Sequence, residues 1–466
     1  MKYESEIQEI IERVIQDIDN SEGIIQKSKH DVMPLSLSGN MKDPKDVARY
    51  LIENIYSNRM DTNNENYFCF MQNDVSEYSV IGEVINTFYN PYAASVDLSQ
   101  GTALIENSLL DFFAERVGYD KAFGGQFVSG ASVGNLSAMI LARDDKLEEN
   151  EFHKGVVYLS DQAHSSLVKA AKIIGVKKSH IRIVPSREDY KMDMEALERF
   201  IMQDKEDGKI PFCVVGTLGT TNTGTIDPLD ELSHIAHKHN LWFHVDAAYG
   251  GSVLLSSYKV LGRGIEKSDS MTWDAHKWLF QTYGCSMILC RDKKKMMKSF
   301  STRPEYLRNV ESDNEKINFW DLGIEMTRPA RGMKLWYTLQ VMGLDQVEMR
   351  IDRVFDFGDQ LHQMIDKNQH IEIVSDASLG IINFRYYNKF IADTGLNKIN
   401  QYISDRSILE NETVFMTTTL KGITTLRFNF KNPDTKLETF SDVISKVESW
   451  AQEYLQKEDS HITAIS

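Results

Sequence analysis

Two short apolar runs in the middle of the chain each end in groups that can do chemistry. Leu241-Trp242-Phe243-His244-Val245 delivers Asp246, and the small residues Ala247 and Ala248 follow before Tyr249-Gly250-Gly251. Further along, Ser268-Asp269-Ser270-Met271-Thr272-Trp273 runs into Asp274-Ala275-His276-Lys277-Trp278. Each run reads as a buried strand, with its polar groups where a parallel sheet presents active residues. Taken singly, the acid would pass for a turn or helix cap and the His-Lys pair for ordinary surface. Taken together, an acid at one strand end and a lysine at the next match the needs of pyridoxal phosphate. The lysine supplies a Schiff base to the cofactor's aldehyde, and the carboxylate keeps the pyridine nitrogen protonated so that the ring can accept electrons.

A phosphate needs a seat, and one stretch offers it. Phe127-Val128-Ser129-Gly130-Ala131-Ser132-Val133-Gly134-Asn135 reads as a Gly/Ser-rich turn opening a helix, whose first N–H groups attract an anion. It fits neither the dinucleotide fingerprint nor the P-loop pattern. His164 follows the apolar run 155–160, and Thr221 follows the run 211–215. All four groups, His164, Thr221, Asp246 and Lys277, therefore fall just after strand ends, where one rim can collect them.

The elements that must position them alternate between strand and helix. Strands are expected at 155–160, 180–184, 211–215, 241–245, 268–273 and 285–289, giving a mostly parallel sheet with helices on both faces, an α/β fold. Ser5 to Asp19 has Ile7, Ile10, Ile11, Val14, Ile15 and Ile18 on one stripe, an amphipathic helix in want of a partner surface. The stretch 39–46 reads as loop. Residues 300–320 show little periodicity and read as a long loop of the lid kind. A helix over 331–342 leads to a small α+β module with strands near 371–374, 380–385 and 424–430 and a closing helix over 437–455.

Composition narrows the class. A chain of 466 residues with net charge −16 can bury more than one core and is a poor ligand for nucleic acid. No targeting segment or apolar run long enough for a bilayer stands out, so no membrane partner is expected. The cysteines Cys69, Cys213, Cys285 and Cys290 are scattered, which points to reduced thiols and a cytoplasmic protein. His234, His237 and His239 lack the acid or cysteine that would complete a site, so no metal is expected. Between Arg59 and Arg116 there is no lysine or arginine, while Tyr67, Phe68, Phe70, Tyr78, Phe88, Tyr89 and Tyr92 cluster there. Such a stretch reads either as core or as the wall of a pocket for an aromatic substrate.

Asp161-Gln162-Ala163-His164-Ser165-Ser166, His244-Val245-Asp246-Ala247-Ala248-Tyr249 and Asp274-Ala275-His276-Lys277-Trp278 together resemble the group II pyridoxal-phosphate decarboxylases. Within that group the chain is most similar to bacterial aromatic-L-amino-acid (tryptophan) decarboxylases, from about Val80 to the C-terminal module. The resemblance implies fold type I and a homodimer with active sites at the subunit interface. It implies that 1–75 is a dimer-wrapping helical segment, 76–345 a large cofactor domain with the lid at 300–320, and 346–466 a small domain.

By position, Lys277 resembles the Schiff-base lysine, Asp246 the partner of the pyridine nitrogen and His164 the histidine stacked on the ring. Ala131, Ser132 and His276 match phosphate-side positions, Thr221 and Ala248 match cofactor-lining ones, and Phe68 and Tyr92 fall in the substrate wall. Tyr306 matches the lid tyrosine that returns a proton to the α-carbon, where phenylalanine stands in members that make aromatic aldehydes. Asp274 stands where animal members carry asparagine and receives no role. The implied activity is decarboxylation of phenylalanine, tyrosine, tryptophan or their hydroxylated forms to amines. The alternatives are a decarboxylase of glutamate, aspartate or sulfinoalanine, which would need a cation in the side-chain pocket, and an aromatic aldehyde synthase. A transaminase would need an arginine for the α-carboxylate, for which Arg328 and Arg331 are the candidates.

Overall fold

In the computed structural model, which describes residues 4–19, 24–25, 37, 39–71, 74–302 and 317–465, the continuous apolar runs become strands buried on both faces. Seven form one sheet: β1 (Gly124–Val128), β2 (Gly155–Ser160), β3 (Ile181–Val184), β4 (Ile210–Thr217), β5 (Trp242–Asp246), β6 (Ser270–Asp274) and β7 (Ser286–Cys290). Their order is β1-β7-β6-β5-β4-β2-β3, with β7 antiparallel to both neighbours and the remaining pairs parallel. Every residue of β2, β5 and β6 is buried, as a parallel sheet covered on both sides requires. The helix Ala131–Lys146 lies against β4 to β7, and Gly134 makes that approach possible. A Cβ there would come within 2.7 Å of Thr272 Cγ2 on β6.

A second, antiparallel sheet follows in the order β10-β11-β9-β8, built from β8 (Ile371–Ser378), β9 (Ile381–Tyr386), β10 (Met416–Leu420) and β11 (Ile423–Asn429). Helices Leu344–Asp366, Asp393–Glu410 and Leu437–Ile465 pack on its strands. Tyr249 ties the two sheets together. Its hydroxyl donates to Leu379 O at 2.6 Å, and its ring stacks on Trp278 at 4.9 Å, behind the turn that carries Lys277. Gly224 is needed at the same seam: its φ is +69°, and a Cβ would run into the Ser378 carbonyl.

Some expectations need correction. The expected loop at 39–46 ends early, because Asp43 caps a helix from Pro44 to Tyr50 by accepting the Lys45 N–H at 2.8 Å. The last residues of the expected lid, Phe319 and Trp320, form a buried helical turn. Residues 303–316 lie outside the described residues, and Ser301 Oγ donates to Asp321 Oδ1 at 2.7 Å across their flanks.

Arg328 is committed to the fold. It meets Glu106 with two N–H···O contacts of 2.6 and 2.9 Å and donates to Ala93 O at 3.1 Å. Both side chains of the pair are fully buried. Glu106→Gln would leave the guanidinium buried beside a neutral amide. The urea midpoint should fall by the equivalent of about 3–5 kcal/mol. A loss below about 1 kcal/mol would mean that the pair is no better than a surface bridge.

Candidate active site

The carboxyl ends of β1, β2, β4, β5 and β6 converge on one cavity of 270 Å³. Its lining includes Ala131, Ser132, His164, Thr221, Asp246, Ala248, His276 and Lys277, so all eight expected cofactor positions come together. Each arrives by a short route. β5 ends on Asp246, whose Oδ1 accepts the Ala248 N–H at 3.1 Å. Ala248 O in turn accepts the Asp274 N–H at 3.1 Å, so β5 and β6 are latched together just past their last paired residues. β6 ends on Asp274, and the helical turn Ala275–Trp278 lifts Lys277 onto the rim.

The charges are arranged tightly. Lys277 Nζ lies 3.2 Å from Asp274 Oδ2, and the second oxygen, Asp274 Oδ1, is buried with no partner. His276 is tethered through Nδ1, 3.1 Å from Cys285 O, and burial lowers it from the ordinary imidazole value. Asp246 Oδ2 accepts an N–H from Asn135 at 3.0 Å. Opposite, the helix Ala131–Lys146 begins at Gly130 with no side-chain cap, which leaves its first N–H groups for another acceptor. Thr217 Oγ1, also in the lining, is a buried hydroxyl without a partner.

These features fit pyridoxal phosphate. An uncapped helix start suits the phosphate, Asp246 the ring nitrogen and Lys277 the aldehyde. The orphaned Thr217 hydroxyl and Asp274 oxygen are the polar atoms a bound group would be expected to satisfy.

Two expected residues do not join them. Phe68 is 1% exposed and stacks on Phe428 at 4.8 Å, with Phe430 and Phe440 around it. Its backbone pairs with Val414 and Asn429, so it belongs to the core of the small sheet and not to the substrate wall. Tyr92 is a surface tyrosine of this chain, with its hydroxyl donating to Met326 O at 2.9 Å and its ring edge-on to Trp320. Tyr306 lies outside the described residues.

The gap in cations between Arg59 and Arg116 also closes in space. Arg328 reaches Glu106, Lys334 reaches Glu83 at 3.1 Å, Arg350 reaches Asp74 at 3.1 Å, and Lys431 sits 4.2 Å over the Tyr67 ring. A stretch without its own cations has drawn them from the C-terminal half.

Sequence reasoning missed Met71, Thr217 and Tyr283 in the lining. It also missed Arg427, which donates to Thr221 O at 3.0 Å and to Cys69 O and keeps a buried, unpaired Nη2. No local signal marks Met71 or Arg427, because each is placed by pairing between distant segments. Arg331 is bidentate to Glu325 at 2.8 and 2.9 Å, so neither arginine considered for a transaminase is free.

Comparison with known proteins agrees with this geometry. Residues 30–387 match the pyridoxal-dependent decarboxylase conserved domain. The chain is 31% identical to the aromatic-L-amino-acid decarboxylase of Bacillus atrophaeus, over 90% of this chain and 88% of that protein. It is 28% identical to the phenylacetaldehyde synthase of Petunia hybrida, over 87% of this chain and 83% of that protein. The crystal structure of Oryza sativa TDC with PLP and tryptamine superimposes with a TM-score of 0.91 at 21% identity, covering 97% of this chain and 98% of that one. The uncapped helix start, the acid and the lysine thus stand in a framework shared with those proteins, and the chain belongs to the pyridoxal-dependent decarboxylase family.

Proposed function

We propose that this chain decarboxylates aromatic L-amino acids to the corresponding amines. The observation that carries the substrate reading is the lining of the cavity, where Lys277 is the only lysine and no arginine appears among the described residues. A buried acidic side chain would have no partner there, at a cost of several kcal/mol. The relative from Bacillus atrophaeus bears an aromatic-amino-acid activity in its name, which supports the same reading.

Pyridoxal phosphate, when bound, supplies the electron sink for loss of the carboxylate. The chain's own groups do the rest. Lys277 would anchor the cofactor's aldehyde. Asp246 would hold the proton on the ring nitrogen, and Ala131, Ser132 and His276 would hold the phosphate. His164 walls one side, with Thr221 and Ala248 lining the remainder. Tyr306 returns the proton to the α-carbon.

The working unit we infer is a homodimer. On the helix Glu77–Tyr89, Val80, Val84, Ile85 and Phe88 are exposed on the single chain, as are Ile11, Ile15 and Ile18 of the N-terminal helix. Contiguous apolar surface of this kind calls for a partner. We divide the chain into the dimer-wrapping segment 1–75, a cofactor domain 76–345 and a small domain 346–466. The four buried, unpaired thiols support a reducing, cytoplasmic setting. No helix among the described residues is long and apolar enough to cross a membrane.

Incubating the loaded protein with each L-amino acid, and assaying amines by mass spectrometry, tests the substrate. Phenethylamine, tyramine or tryptamine should form faster than any amine from an acidic substrate. Glutamate or aspartate turning over faster than every aromatic amino acid would refute the reading.

A further inference from the structure

Behind the cavity, buried polar side chains form a hydrogen-bonded line whose direction is set where it meets the Asp246 carboxylate. The Trp242 indole N–H, which can only donate, gives to Ser270 Oγ at 2.9 Å. Ser270 Oγ lies 2.9 Å from His244 Nδ1, and His244 Nε2 lies 3.0 Å from Asn135 Oδ1. Asn135 Nδ2 then donates twice, to Asp246 Oδ2 at 3.0 Å and to Ser166 Oγ at 3.1 Å. At the far end the Ser166 backbone N–H reaches His164 Nδ1 at 3.2 Å, so that nitrogen is an acceptor, and the Ser166 hydroxyl sits 2.8 Å from it. Trp242, Ser270, His244 and Asn135 are all 0% exposed, so bulk water does not compete for these contacts.

One pattern of hydrogens makes each of these contacts donor to acceptor. Burial lowers His244 to about 4, so it is neutral near pH 7 and carries one ring hydrogen. With that hydrogen on Nε2, it donates to Asn135 Oδ1, while Nδ1 accepts the Ser270 hydroxyl. The 3.2 Å approach of Nδ1 to the Ser270 carbonyl is the one contact left unused. With the hydrogen on Nδ1, the Nε2 lone pair would face Asn135 Oδ1. Turning the amide over to relieve that would set its oxygen against Asp246 Oδ2, acceptor against acceptor. The Asp246 carboxylate, which only accepts, therefore sets which end of the amide faces it, and the Nε2 hydrogen of His244 matches that orientation from the other side.

We propose that Asn135, with its amide held in one orientation between Asp246 and His244, is a positioning residue that aims the Asp246 carboxylate at the ring nitrogen of the cofactor. The proposal rests on the reading of Asp246 as the partner of that nitrogen. The Ala248 N–H steadies the other carboxylate oxygen, so Asp246 is gripped from two directions. Through Ser166 the same amide also reaches His164, and one side chain ties two walls of the cavity together.

The test compares two ligands for the cofactor-free protein: pyridoxal phosphate, and its analogue with carbon in place of the ring nitrogen. Affinities are read by equilibrium dialysis for the wild type, Asn135→Asp, Asn135→Ala and Asp246→Ala, each first checked for an intact thermal transition. Asn135→Asp keeps the shape but turns the donor into an acceptor facing Asp246, and Asn135→Ala serves if that repulsion prevents folding. Both should weaken pyridoxal phosphate about tenfold or more and leave the analogue within about twofold of the wild type, the coupling expected of groups in contact. Asp246→Ala should show the same contrast. Equal losses for both ligands in the Asn135 variants, with the contrast retained in Asp246→Ala, would make Asn135 merely structural and overturn the proposal. Loss of the contrast in Asp246→Ala itself would remove the reading of Asp246 and the proposal with it.

Discussion

Lys277→Ala should abolish amine formation, with turnover falling by about four orders of magnitude or more, as losing a covalent catalytic group does. Lys277 is the only lysine in the cavity lining among the described residues. Alanine removes the amine proposed to anchor the aldehyde and also the cation paired with Asp274 at 3.2 Å. The helical turn Ala275–Trp278 should survive, because Ala275 and Trp278 hold it from the buried side. The variant should therefore remain folded and lose the visible band of lysine-bound cofactor. A folded variant that kept both the band and its turnover would place the anchor elsewhere.

Tyr306→Phe should change the reaction and not only slow it. Once carbon dioxide has left, the α-carbon needs a proton, and a phenol is a suitable acid for it. Phenylalanine keeps the ring and removes the acid, so dioxygen gains time to react. The balanced alternative consumes the amino acid, dioxygen and water, and yields aldehyde, carbon dioxide, ammonia and hydrogen peroxide. Amine yield should drop about 100-fold or more, the usual worth of a positioned acid. Aldehyde and peroxide should rise in equal amounts. The similarity to a phenylacetaldehyde synthase shows that this outcome lies within reach of related chains. Oxygen uptake and amine yield, followed together, decide it. Wild-type amine yield without oxygen consumption would pass the role to another acid, His164 first.

What the sequence reveals follows the range of the interactions. Asp246 and Lys277 are legible because a strand and the turn after it are local, and a fully buried strand writes itself as an apolar run. The eight expected cofactor positions fall together for the same reason, since each lies at a strand end or a few residues beyond it. β1 and β10 are harder to see. Gly124-Gly125-Gln126 carries little strand signal, and Met416–Leu420 holds three threonines that read as either strand or loop.

Phe68 fails differently. An aromatic run cannot declare whether its rings face a pocket or a core, and pairing with Val414 and Asn429 settles the matter from across the chain. The gap in cations misleads in the same way, since Arg328, Lys334 and Lys431 arrive from more than two hundred residues away. Asn135 is invisible for a further reason. Its sequence neighbours mark a helix start, and only the meeting of that helix with β5 places its amide between His244 and Asp246.

Borohydride reduction of the cofactor-loaded wild-type protein, followed by peptide mass spectrometry, tests most directly whether Lys277 anchors the cofactor. The pyridoxyl phosphate mass should appear on the peptide containing Lys277 and on no other. The same mass on Lys334 or Lys431, both buried cations outside the cavity lining, or on any other lysine, would contradict the site as drawn.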